Sequence, residues 1–319
     1  MTIRESLKKI DIILFLSLCY LFVMLIAIFH NIWDIPFFAF VTEEGFVYEN
    51  VTIAGFFLWF FYAFSPTISA IIITAIVNGK DVLKKLLKGY LIWRVNWKWY
   101  IAAFLLLLAP LLGGIIFYFI GTPPGFNQNL TAGSITYLVF FGLASGPLSE
   151  ELGWRGFLLP KFQKHFNATL SSIFLGLFWF AWHIPLYFIP GTSQNLSSNI
   201  IGISIYFVLV MSISIILTWL YNNSNGSLII TILGHFCFNF GSALVITILG
   251  LVNYTTYSII GGVLGVVYLV FIFVYAGYRN FSRKPIEELP FDSSLRIKLQ
   301  TENKNEIILE NDDQIINKN

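Results

Sequence analysis

Apolar residues run along this chain in eight long blocks, at about 10–30, 53–77, 99–121, 134–158, 170–189, 201–221, 227–250 and 257–278. A helix needs about 20 apolar residues to cross the hydrocarbon core of a bilayer, and each block meets that length or comes close. Their apolarity is continuous, not alternating, which excludes the strands of a membrane barrel. In lipid, only helices and closed barrels satisfy every backbone polar group. The pattern predicts an all-α, polytopic membrane protein with about eight transmembrane helices.

Smaller features refine this outline. Arg4, Lys8 and Lys9 precede the first block, which is too long for a signal-peptide core and has no small-x-small cleavage site after it. It is expected to be an uncleaved first span. Residues 80–99 are cationic and aromatic, with Val82, Leu83, Leu86, Leu87, Tyr90 and Leu91 at helical spacing. An amphipathic segment on the membrane surface is expected there, with a soluble amphipathic hairpin as the alternative. In the last block Gly261 and Gly265 form a GxxxG pattern and Gly262 adds a third small residue, which predicts close helix packing. The chain divides into a membrane domain, 1–280, and a polar tail, 281–319, expected to be disordered and cytoplasmic.

Composition supports lipid as the solvent. Hydrophobic residues make up 57% and charged residues 11%, with a mean hydropathy of +0.76, whereas soluble domains carry about 25% charged residues. The distribution of charge gives an orientation. With the N-terminus cytoplasmic, all 19 Lys and Arg fall on the cytoplasmic side or at its interface, and the first outer loop carries Asp34, Glu43, Glu44 and Glu49. This is a positive-inside pattern. It predicts a multi-pass protein of the cell membrane with both termini in the cytoplasm. Cys19 and Cys237 are isolated, so neither a disulfide framework nor a cysteine metal cluster is expected.

Ionisable groups inside spans are expensive and are functional candidates by default. Glu150, Glu151 and Arg155 lie in or near the end of the fourth block, His183 in the fifth, and His235 with Asn239 in the seventh. At 1.5 Å per helical residue, Glu150 lies roughly 15 Å, His183 roughly 18 Å and His235 roughly 13 Å from one membrane face. Three groups distant in sequence thus reach similar depth. Glu151 and Arg155 are four apart, acid first, and are read as a structural ion pair. Glu150 points about 100° away and is read as the reactive carboxylate. Gly146 and Pro147 just before it are expected to bend the helix. A carboxylate shielded from water is a useful proton acceptor. Glu150 with His183 is suited to deprotonating a water, and His235 with Asn239 to stabilising an oxyanion. The same Glu150, His183 and His235 also make up a possible zinc ligand set with an open position.

Glu150-Glu151-x-x-x-Arg155, an aromatic-x-x-x-His183 and His235-x-x-x-Asn239, set in EELGWRGFLLP, FWFAWHIPLYF and GHFCFNF, resemble the CAAX prenyl protease 2 and bacteriocin-processing (Abi, or CPBP) family of intramembrane endopeptidases, in its bacterial-type branch. The likeness covers about residues 145–240. It implies an eight-helix endopeptidase with a water-filled cavity opening toward the cytoplasm. It also implies Glu150 and His183 as water activators, and His235 and Asn239 as oxyanion stabilisers. Trp179 stands where the family often has Phe, so an aromatic is kept as a supporting residue beside Glu151 and Arg155. No metal or other cofactor is favoured, zinc being the alternative. The expected partners are the bilayer and a peptide or protein substrate: a prenylated peptide, a pheromone or a bacteriocin precursor. No nucleic acid is expected. A non-enzymatic immunity or regulatory protein of the same fold and a proton-coupled transporter are the competing readings. The lack of an internal repeat speaks against the transporter.

Overall fold

Asparagine and threonine side chains start the long helices. Thr52 accepts from the Gly55 N–H, Asn96 from Lys98, Thr131 from Ser134, Asn167 from Leu170 and Asn199 from Gly202. Each satisfies a donor that the first helical turn leaves unpaired. The structure is a computed structural model. It describes residues 3–33, 40–42, 45–47, 52–120, 126, 131–190, 192–196, 198–249, 254–298 and 301.

Among these residues, seven helices are long and apolar enough to cross a membrane: Asp11–Trp33, Trp97–Ile120, Ala132–His165, Ala168–Phe188, Ile200–Asn223, Leu228–Leu249 and Thr256–Ala276. Ile53–Ala63 and Ser65–Asn78 form a bent pair, with an angle of 57° between its halves, which counts as an eighth when taken as one span. Pro66 lies in the first turn after the bend, where its missing N–H is tolerated. The fold is therefore that of an all-α, multi-pass membrane protein, as the apolar blocks predict. A short antiparallel hairpin, Phe40–Thr42 with Gly45–Val47, is the described departure from helix. Asp34, Glu43, Glu44 and Glu49 lie outside the described residues.

The seventh span is the hub of the bundle and packs on the third, fourth and sixth. Some of the tight contacts are made where glycine lets backbones meet. A Cβ on Gly153 would lie 2.6 Å from the Pro66 backbone, and one on Gly241 would lie 2.6 Å from the Pro110 ring. The close packing expected at Gly261 and Gly262 is not found, since nothing lies within 4 Å of a Cβ placed on either. A Cβ on Gly265 would lie 3.6 Å from Ser212, and the Gly261 backbone N lies 3.9 Å from a Cβ placed on Gly113 of the third span. The pattern of small residues was present, but the helix turns this stretch toward a cavity.

The basic segments meet at one end of the bundle, the basic face. Lys161 bonds Asp11 at 2.5 Å, joining the fourth span to the start of the first. Segment 80–91 forms the helix Lys80–Leu87 and a following tight turn, with Leu86 and Tyr90 packed on the core. Arg155 is the exception: it is fully buried inside the bundle and does not sit at the interface.

The tail also differs from expectation over residues 281–298. Asn222 and Asn223 donate to the carbonyls of Asn280 and Phe281 at 2.8 and 2.7 Å. Lys284 reaches Asn223 and Asn225, and Asp292 pairs with Lys164 at 2.8 Å. Phe281 and Leu289 are buried. Two apolar anchors and a set of amide bonds thus hold a polar stretch against the span ends. Its composition hid this, because polar groups that bond helix ends look the same as solvated ones in a sequence.

Gly153→Val is expected to destabilise the fold by about 1–3 kcal/mol, since its side chain would overlap Pro66. Gly262→Ala should leave stability unchanged or raise it. Thermal unfolding in detergent checks both, and equal stability of the two variants would contradict the packing described.

Candidate functional site

The fourth span loses regular helical geometry where its chemistry begins. After the helix Ala132–Leu143, Ser145 (φ −91°, ψ 94°) and Gly146 (φ 109°, ψ −80°) leave the helical region, and Pro147 follows. Positive φ is readily adopted by glycine, and proline has no N–H to continue the ladder. The expected bend at Gly146 and Pro147 is therefore present. Ser149 Oγ accepts the Gly146 N–H at 3.0 Å, across the break. Glu150 and Glu151 come next, both buried, followed by the wide π-helical turns Leu152–Leu158.

The two adjacent carboxylates have different partners. Glu150 Oε2 accepts from the Trp154 indole at 3.2 Å and the Trp179 indole at 2.5 Å. Its Oε1 turns toward Gly146. A Cβ built on Gly146 would lie 3.3 Å from Glu150 Oε1, 3.4 Å from His235 Nε2 and 3.1 Å from Asn239 Nδ2. Groups from the fourth and seventh spans thus surround one point, which the glycine leaves open. Glu151 Oε1 accepts from Arg155 Nη1 and from His235 Nδ1, both at 2.8 Å. The predicted Glu151–Arg155 pair is present, and the bond from His235 extends it to the seventh span.

His183 is held differently. Its Nδ1 donates to the Trp179 carbonyl at 2.8 Å. In a neutral ring this leaves Nε2 as the acceptor. His183 and His235 flank Trp179, with ring centroids 6.0 and 5.3 Å from it, and the Arg155 guanidinium lies over the same indole at 4.3 Å. Trp179 is therefore central to the arrangement.

Glu150, His183, His235 and Asn239 all line one cavity of about 290 Å³. Its walls are mostly apolar, with Trp59, Leu138, Phe141 and Val210 among them. From Glu150 the cavity extends away from the basic face, toward Thr192, Ser193 and Gln194 in the connection after the fifth span. Among the described residues no three His, Cys, Asp or Glu side chains converge as a metal ligand set.

A model of the family described as "Type II CAAX prenyl endopeptidase Rce1-like" matches residues 131–241, which contain all four cavity-lining polar residues above. Over those residues the chain is similar to this CAAX-protease family. A relative, CAAX prenyl protease 2 of Methanococcus maripaludis, is 28% identical over 222 residues, covering 60% of this chain and 81% of the relative.

Sequence reasoning missed Trp154 as a partner of Glu150. Its i, i+4 spacing was the available signal. The Glu151–His235 bond spans 84 residues and left no local trace. Arg155→Met leaves the buried Glu151 without its cation and is expected to cost about 3–5 kcal/mol, while Arg155→Met with Glu151→Leu should recover much of that. Unfolding in detergent tests this, and an unchanged stability of the single variant would show that the pair is not buried as described.

Proposed function

We propose that this protein is an intramembrane endopeptidase that hydrolyses peptide bonds with a water activated by Glu150 and His183. The convergence of Glu150 Oε1, His235 Nε2 and Asn239 Nδ2 on the space beside Gly146 carries the proposal. The similarity of residues 131–241 to a CAAX-protease family supports the same reaction class.

In this reading Glu150 Oε1 and His183 Nε2 hold a water and take its proton as oxygen attacks the scissile carbonyl. His235 Nε2–H and Asn239 Nδ2–H donate to the oxyanion that forms. Donation from His235 Nε2 while Nδ1 also donates needs the doubly protonated ring, and Glu151 is the counter-ion such a ring would have. On collapse, the C–N bond breaks and the proton held by Glu150 passes to the leaving amine. The products are a carboxylate and an amine, and no covalent enzyme intermediate forms. The reaction is proposed to need no metal.

We place the basic face in the cytoplasm, as the positive-inside rule directs, in the cell membrane. The substrate is a peptide or protein chain. A prenylated peptide is the class suggested by the relative's name, and a pheromone or bacteriocin precursor also suits an apolar cavity.

Purified protein in liposomes with a fluorogenic prenylated peptide tests the reaction. Glu150→Ala is expected to lower the rate by about 10²–10⁴-fold, and Asn239→Ala by about 10²–10³-fold, with both variants still folded. A chelator should have no effect. Normal cleavage by Glu150→Ala would sink the mechanism, loss of activity with chelator would restore a metal, and a biological effect retained by Glu150→Gln would favour the non-enzymatic reading.

A further inference from the structure

We infer that the scissile peptide reaches Glu150 from the membrane face opposite the basic loops, so that the substrate is an exported chain or a membrane segment emerging on that face. The inference rests on the endopeptidase reading for its chemistry, but its geometry stands apart from it.

The cavity floor lies at Glu150, and the walls rise from there in one direction only. Along the fourth span the lining runs from Glu150 back to Leu138, roughly 18 Å at the helical rise. On the eighth span it reaches Tyr257 and Ser258, within a turn of that helix's start at Tyr254, on the end away from the basic loops. Thr192, Ser193 and Gln194 line its far end. They are built into the wall: Thr192 Oγ1 donates to the Leu186 and Ile189 carbonyls, and Gln194 Nε2 donates to the Tyr206 hydroxyl at 3.0 Å.

The opposite direction is closed. None of the lining residues comes from 80–98, 158–168, 222–228 or 277–298, the segments that form the basic face. Beneath Glu150 the side chains of Glu151, Leu152, Trp154, Arg155 and Leu158 are fully buried. Leu228, Ile230 and Thr231 of the seventh span are buried beside them. A peptide from the basic side would have to displace the buried Glu151–Arg155 pair to meet Glu150. Taking one member of such a pair from its partner is strongly unfavourable. On the other side the lining is mostly apolar and ends on the catalytic groups, and the strands Phe40–Thr42 and Gly45–Val47 pack on Ser193–Leu196 and on the seventh span.

The sidedness can be read without a substrate. In a background where the buried Cys19 and Cys237 are replaced by alanine, Ser193→Cys and Ser242→Cys mark the cavity, and the exposed Lys88→Cys marks the basic face. Right-side-out vesicles from expressing bacterial cells are treated with a small, charged, impermeant thiol reagent before and after permeabilisation. Both cavity cysteines should react before permeabilisation and Lys88→Cys only after it. Cavity cysteines that react only together with Lys88→Cys, or from neither side, overturn the inference. In the same vesicles a quenched peptide added outside should be cleaved without permeabilisation. Cleavage only after permeabilisation rejects the proposed access and leaves the protease reading intact. Cleavage by Glu150→Ala at the wild-type rate rejects the protease reading and leaves the labelling result standing.

Discussion

A fully buried ion pair, Glu151 with Arg155, is the constraint on which the centre of this molecule depends. In a low-dielectric interior neither charge can be left alone, because desolvation of an unpaired ion costs several kcal/mol. The pair therefore fixes whatever it touches. Glu151 shares the same oxygen with His235 and so ties the fourth span to the seventh. Arg155 lies over the Trp179 ring and so ties the fourth span to the fifth. Glu151 Oε2 and Arg155 Nε and Nη2 have no protein partner, so the pair is not an optimised source of stability. Its effect is orientation: with Nδ1 of His235 engaged by Glu151, Nε2 must face the space beside Gly146.

The irregular fourth span is the second condition. Broken backbone is tolerated at membrane depth only where it is buried in protein or lines a cavity, and Ser145 and Gly146 do line one. The break leaves a gap at Gly146 toward which three polar groups point, as a straight helix could not. The π-helical turns that follow are a common companion of functional sites. They keep Trp154 within reach of Glu150 and Arg155 within reach of Glu151.

Much of this was legible in the chain because lipid imposes simple rules. Seven of the eight apolar blocks became helices long enough to cross a membrane, the remaining one became a bent pair, and Gly146-Pro147 marked the break, because length, apolarity and backbone chemistry are local properties. Glu150, His183, His235 and Asn239 stood out because polar groups in such spans are rare. What could not be read depended on rotation and tertiary contact. Gly261 and Gly262 carry the small-residue pattern of a packed interface, yet the eighth helix is turned so that a Cβ placed on either would meet nothing within 4 Å. Residues 281–298 look solvated until their anchors, Phe281 and Leu289, are seen against the span ends. The direction of the cavity follows from which ends of the helices splay, and periodicity says nothing about that.

Trp179 shows how a substitution that keeps an aromatic can still change a site. Beside a carboxylate, phenylalanine and tryptophan fill similar space, but only the indole carries an N–H. Here that N–H, with the one from Trp154, occupies Glu150 Oε2 and leaves Oε1 turned toward the cavity. Hydrogen bonds to an ionised group contribute about 1.5–3 kcal/mol each, enough to hold one rotamer of a side chain that would otherwise turn freely. The ring face meanwhile receives Arg155, and its edge region lies against both histidines. One side chain thus sets the carboxylate, carries the buried cation and separates the two imidazoles, which is why the fifth span has to bring it to the depth of Glu150.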